Sequence, residues 1–184
     1  MLYLVTGLIL FIGIHLLPTS VTLRQRLERR LGEKGYKGIF SLISLAGIAL
    51  IVFGFSHSAK IAVYQTQPGL RPVTIGLMAI SMILFAAANM PSNIKRFIRH
   101  PMLVGLIVWA IAHLLANGDK AALVLFGSMA VYGFLGMASA NYRGAQTQTH
   151  TLPLKKDVIT ACAGLLVYGV IIMLHKTLFG VAVL

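Results

Sequence analysis

The chain predicts an all-α fold, a polytopic integral membrane bundle of about six transmembrane helices, and three observations predict it. Of its 184 residues, 58% are hydrophobic and only 11% charged, whereas soluble domains usually carry about 25% charged residues. Its mean hydropathy is +0.85, more apolar surface than a soluble core of this size can hide. The apolar residues also fall into long continuous runs, not short alternating ones. A membrane helix needs about 20 such residues, a barrel strand about 9–11 with alternation, so helices fit the runs.

Six runs stand out, at Leu2–Leu17, Ile39–His57, Val73–Met90, Pro101–Ala116, Ala121–Ala140 and Val158–Phe179. They form one domain, residues 1–184, with short connections. The first run starts at Met1 without a basic segment ahead of it or a small-residue cleavage site behind it, so it reads as a retained helix and not as a removable signal. Between runs one and two, Leu23, Leu27 and Leu31 recur every four residues in a basic segment. This spacing predicts a short helix lying on the membrane surface, stopped by Gly32 and Gly35. Gly47 and Gly54 give the second run a surface for close helix contact.

Pro68-Gly69 marks a turn before the third run. The first and fourth runs are short and need interfacial residues to complete them. Asn117-Gly118-Asp119-Lys120 is a tight turn that makes runs four and five antiparallel neighbours. In the fifth run, Gly136 and Ala140 form a small-xxx-small pair, and Ser128, Tyr132, Leu135 and Ser139 share a face expected to point into the bundle. The polar stretch Asn141–Lys156 is expected to be mobile. In the sixth run Gly164, Tyr168 and His175 share a face.

Charge supplies the orientation. The net charge is +12, and twelve of the sixteen Lys and Arg residues lie in three connections: between runs one and two, three and four, and five and six. Lys60, Arg71, Lys120 and Lys176 occupy the opposite side. Cytoplasmic loops are the ones enriched in Lys and Arg. The expectation is therefore a bacterial cytoplasmic (inner) membrane protein with both termini periplasmic. The basic loops lie against anionic headgroups, and the partner is the lipid bilayer, not nucleic acid.

Chemistry-bearing residues are few. The only acids, Glu28, Glu33, Asp119 and Asp157, lie outside the confident spans, so a buried carboxylate proton relay is not expected. There is no phosphate loop, HExxH or nucleophile elbow. Cys162 stands alone, and without CxxCH there is no covalent c-type haem attachment. His57, His150 and His175 read as interfacial. His15 and His113 differ, because each follows an aromatic residue by four positions and a glycine by eight: Gly7, Phe11 and His15, then Gly105, Trp109 and His113. Such a face can wall a flat macrocycle whose iron the imidazole ligates. It is equally an ordinary packed face.

Three stretches carry a resemblance: FIGIHLLP at Phe11–Pro18, LGEKGYKGIFSLISLAG at Leu31–Gly47 and RHPMLVGLIVWAIAHLLANGD at Arg99–Asp119. Together, over roughly residues 1–140, the chain resembles the NnrU family of bacterial membrane proteins. That family is similar in turn to the plastid 15-cis-zeta-carotene isomerases, which hold haem b between histidines. The resemblance implies haem b here, with His15 and His113 as iron ligands and His100 as a further matched histidine. It counts Arg99, Gly105, Trp109 and Asn117 of the last motif among the cofactor-contacting candidates. It also implies a link to nitrite, nitric oxide or other redox metabolism. In the isomerases a cysteine precedes the late histidine by three residues, whereas Ala110 stands there in this chain.

Depth along the helices points elsewhere. His113 lies thirteen residues beyond His100, on the order of 20 Å deeper at about 1.5 Å per residue. That puts His15 level with His100 and not with His113, so the two pairings compete. Two further function classes stay open. Arg-His-Pro-x-x-x-Gly resembles the start of a signature in membrane methyltransferases and reductases, which implies a nucleotide cofactor near Arg99 and His100, although the acidic and aromatic remainder is absent after Thr147. The third class is a non-catalytic assembly factor for membrane redox enzymes.

Overall fold

The computed structural model describes residues 1–180 as seven α-helices. They are α1 (Leu2–Leu16), α2 (Val21–Ser56), α3 (Arg71–Asn89), α4 (Ile94–Phe97), α5 (Pro101–Ala116), α6 (Lys120–Tyr142) and α7 (Leu154–Phe179). Five of the segments are long and apolar enough to cross a membrane, and α5 is a shorter apolar helix of 16 residues. The short α4 lies in the connection between α3 and α5.

The six apolar helices stand side by side in the order α2, α1, α6, α5, α3, α7, with α1 meeting α6 only lightly. Little of this row can be buried in protein. Leu42, Leu166 and Met173 are 68%, 71% and 82% exposed, along helices whose backbone is hydrogen-bonded internally. This much apolar surface is stable when lipid is the solvent.

Glycines set the closest approaches. A Cβ on Gly7 would lie 2.7 Å from the Ile51 amide nitrogen and 2.8 Å from the Gly47 carbonyl oxygen. Gly54 lies against the Leu4 backbone, so α1 and α2 form an antiparallel hairpin at near backbone contact. Ser81 on α3 donates a buried 2.7 Å hydrogen bond to the Gly105 carbonyl on α5, and a Cβ on Gly164 of α7 would meet Ile83 of α3. The principal core joins α1, α2, α5 and α6 through Leu4, Leu8, Ile51, Ala110, Phe126 and Met129.

Three expectations need correction. The surface helix does break at Gly32, where φ is +71°, a value that favours glycine. Gly35 does not stop anything, because the helix resumes at once and reaches Ser56, so the helix that carries the second apolar run begins well before Ile39. On α6 the inward face is not Ser128–Tyr132–Leu135–Ser139. Leu135 is 54% exposed, and the core face carries Ala122, Phe126, Met129 and Gly133, because α5, the N-terminal half of α1 and the C-terminal part of α2 approach from that side. The Asn141–Lys156 stretch is tied down at Asn93. The Asn93 side chain donates to the Leu152 carbonyl and accepts from its amide, both at 2.8 Å.

Asn93 also binds Asp157, its amide donating to Oδ1 at 2.7 Å and its Nδ2 to Oδ2 at 2.6 Å. The loop between α2 and α3 is pinned in a comparable way on the opposite side. Val63 donates to the Gly118 carbonyl and Lys120 to the Ile61 carbonyl, each at 2.8 Å. Tyr64 Oη donates to the carbonyls of Leu114 and Asn117. Partial desolvation first, and then the Asp119 charge, push the Tyr64 phenol above its ordinary value. Asp119 caps α6 by accepting from the Ala122 amide at 3.0 Å.

Candidate functional site

Two histidines on different helices share one local geometry. His15 Nδ1 lies 2.7 Å from the Phe11 carbonyl oxygen, and His113 Nδ1 lies 2.9 Å from that of Trp109. A carbonyl can only accept, so Nδ1 carries the proton in both. In the neutral ring Nε2 is then an unprotonated lone pair. Metal-ligating histidines commonly have their tautomer fixed by such a bond. In each case the aromatic residue four positions earlier provides both the carbonyl and a ring contact, with Phe11 at 4.1 Å from His15 and Trp109 at 4.7 Å from His113.

Their further surroundings differ. His15 meets Phe40 at 5.0 Å and Tyr132 at 6.2 Å. His113 stacks on Phe126 at 4.4 Å, and Phe126 in turn meets Phe55 at 5.9 Å. Phe40 and Phe55 lie on the same helix, separated by about 22 Å at 1.5 Å per residue. His15 and His113 therefore sit at different depths, while two axial nitrogens on one iron must stand about 4 Å apart, taking about 2 Å per bond.

His100 joins neither of them. It is at the opposite end of α5 from His113, its Nε2 donating to Asn141 Oδ1 at 2.8 Å. Arg99 donates to the same oxygen at 3.0 Å. His15, His100 and His113 thus have no ring or hydrogen-bond partner in common. Gly105 faces Leu84, Phe85 and Ser81 of α3, so its open side is filled by a helix. Asn117 ends α5, its side chain donating to the His113 carbonyl at 2.9 Å. Among the described residues no three His, Cys, Asp or Glu side chains gather in one place.

Sequence reasoning passed over Asn93, Asp157, Asn141 and Tyr64. Each acts on a residue at least 41 positions away, and none has a helical repeat to announce it. Ala110 is fully buried in the principal core, so no sulfur stands one turn before His113. Cys162 is exposed on α7.

Fold and site together define an all-α membrane protein with paired apolar helices and two histidines, at two depths, whose Nδ1 faces a backbone carbonyl. The family model for NnrU protein matches residues 3–183, and the chain belongs to the NnrU family. It is similar to the 15-cis-zeta-carotene isomerase, chloroplastic, of Arabidopsis thaliana, at 28% identity over 121 residues, 55% of this chain and 33% of that protein. It is likewise similar to the enzyme of that name from Zea mays, at 26% identity over 157 residues, 74% of this chain and 40% of that protein. The chain thus spans about a third to two fifths of the length of these relatives. No solved structure matches it.

Proposed function

We propose that this NnrU-family chain is a haem b protein of the bacterial cytoplasmic membrane, with both ends on the periplasmic side. Redox metabolism of nitrite, nitric oxide or a related compound is its setting. The observation that carries the reading is the shared tautomer of His15 and His113. Each presents a bare Nε2 inside an apolar helix row, the protonation state iron ligation requires. Haem, when bound, supplies one-electron chemistry at its iron. The donor chemistry of the two imidazoles fits that group one ligand at a time, because their depths differ.

The residues' own contributions are positional. The carbonyls of Phe11 and Trp109 hold each imidazole's rotation and keep its Nδ1 protonated. Phe126 and Trp109 cover the His113 ring, and Phe40 and Tyr132 flank that of His15. These ring neighbours restrict how each imidazole can turn. Carotene isomerisation through a cysteine-linked ligand exchange is not part of the proposal, since Ala110 offers no sulfur.

Purification in detergent from haem-replete cells tests the reading. A Soret band that comigrates with the protein is expected, and a colourless, folded protein would overturn it.

A further inference from the structure

On the basic side of the helix row, the α3–α5 connection, the first turn of α5 and the α6–α7 connection enclose an open cavity of about 540 Å³. Its polar wall is made by Lys95, Arg99, His100, Gln146, Gln148 and His150. No carboxylate lines it. The ion pairs among the described residues are Arg24–Glu28, Lys37–Glu33 and Lys60–Asp119, so neither Lys95 nor Arg99 has an acid to neutralise it there. Two permanent cations face one space without a counter-charge.

The wall is built, not incidental. Asn141 Oδ1 accepts from both Arg99 and His100, which fixes the two side chains relative to each other from the end of α6. The Gln148 amide donates to the Lys95 carbonyl at 3.4 Å, which holds the α6–α7 connection over the cavity. The N-terminus of α5, without a side-chain cap, forms a further wall. Guanidinium and ammonium donors on one side of a cavity match an anion with several acceptor oxygens. Two uncompensated positive charges favour a phosphate over a singly charged carboxylate. The three basic connections share one membrane side, which is the depth of lipid headgroups.

We propose that this cavity binds a phosphate group, carried either by an anionic lipid headgroup or by a soluble phosphorylated small molecule. The site is separate from His15 and His113, and the inference does not depend on haem.

The full-length protein in phosphatidylcholine nanodiscs at low salt provides the test. One arm titrates inorganic phosphate by calorimetry. The other measures the rise in melting temperature when phosphatidylglycerol replaces part of the phosphatidylcholine. Lys95→Gln is the diagnostic variant, because its side chain makes no hydrogen bond or ion pair among the described residues. Arg29→Gln/Arg30→Gln, in the surface segment of α2, is the control for general charge.

Phosphate binding weakened about tenfold by Lys95→Gln, the loss expected for one charge-assisted contact, and unchanged in the control supports the site with a soluble ligand. Stabilisation by phosphatidylglycerol alone, lost in Lys95→Gln and kept in the control, supports the site with a lipid ligand. No response to either probe, or a response that Lys95→Gln leaves intact or the control removes equally, overturns the proposal.

Discussion

His113 Nδ1 lies 2.9 Å from the Trp109 carbonyl oxygen one turn earlier, and this contact decides which ring nitrogen is available. With Nδ1 donating, Nε2 can only accept or ligate. The repeat of the arrangement at His15 and Phe11, on a helix that packs chiefly elsewhere, makes the two histidines equivalent in preparation though not in depth.

The α1–α2 hairpin is predicted to fail through one methyl group. In Gly54→Ala the new Cβ would overlap the Leu4 backbone, which cannot move aside as a flexible side chain can. Overpacking of this kind costs about 1–3 kcal/mol, sometimes more. Gly13→Ala, with nothing within 4 Å of its new Cβ, should leave stability unchanged or slightly raised. Melting temperatures of the two variants in one detergent check this. Equal behaviour would contradict the close packing.

Asn93→Ala should free the α6–α7 connection. It removes the pair of hydrogen bonds to Leu152 and the Nδ2 bond to Asp157 Oδ2, leaving only the backbone amide of residue 93 on Oδ1. Each net hydrogen bond is worth about 1 kcal/mol, so the connection should open at least about fivefold more often. Trypsin cleavage at Lys155 and Lys156 reports the change as a matching rise in rate.

Tyr64 makes stability depend on alkaline pH. Its phenol titrates above the ordinary value of 10.0 in the folded protein, first through partial desolvation and then because of Asp119. The neutral form is therefore favoured by folding. This contribution is fully present below pH 10.0 and is lost as the pH rises through the raised folded value. Tyr64→Phe should melt lower at neutral pH, having lost the one proton shared between the Leu114 and Asn117 carbonyls, and should lose this contribution to the alkaline decline. Melting curves of both proteins between neutral and alkaline pH measure the difference.

The proposed orientation is tested with Cys162→Ser as background. Lys120→Cys, in the tight turn between α5 and α6, should react with a membrane-impermeant maleimide added to intact spheroplasts. Lys34→Cys, in the basic segment of α2, should react only after lysis. The reverse pattern would invert the topology.

Much of the fold is legible in the sequence because hydropathy is a local property. Six apolar runs become six apolar helices, and the Gly32 break follows from a residue that tolerates positive φ. The order of the helices in the row is not legible, because it depends on contacts such as Gly54 with Leu4 and Ser81 with Gly105, between residues far apart in the chain. The inward face of α6 is misread for the same reason: helical spacing groups Ser128 with Leu135 but does not say on which side α5 will lie. At the sites, His15 and His113 are visible through their aromatic neighbours. The cavity around Lys95 is only half visible, since Arg99 and His100 belong to a motif while Gln148 and His150 arrive from another connection.

The most direct test of the central claim is the absorbance spectrum of the detergent-purified protein beside His15→Ala, His113→Ala and His100→Ala, all from haem-replete cells. The account predicts a Soret band in the wild type and in His100→Ala, diminished or shifted in His15→Ala, in His113→Ala or in both. A band unchanged by both of those substitutions, or no band in any folded sample, would contradict it.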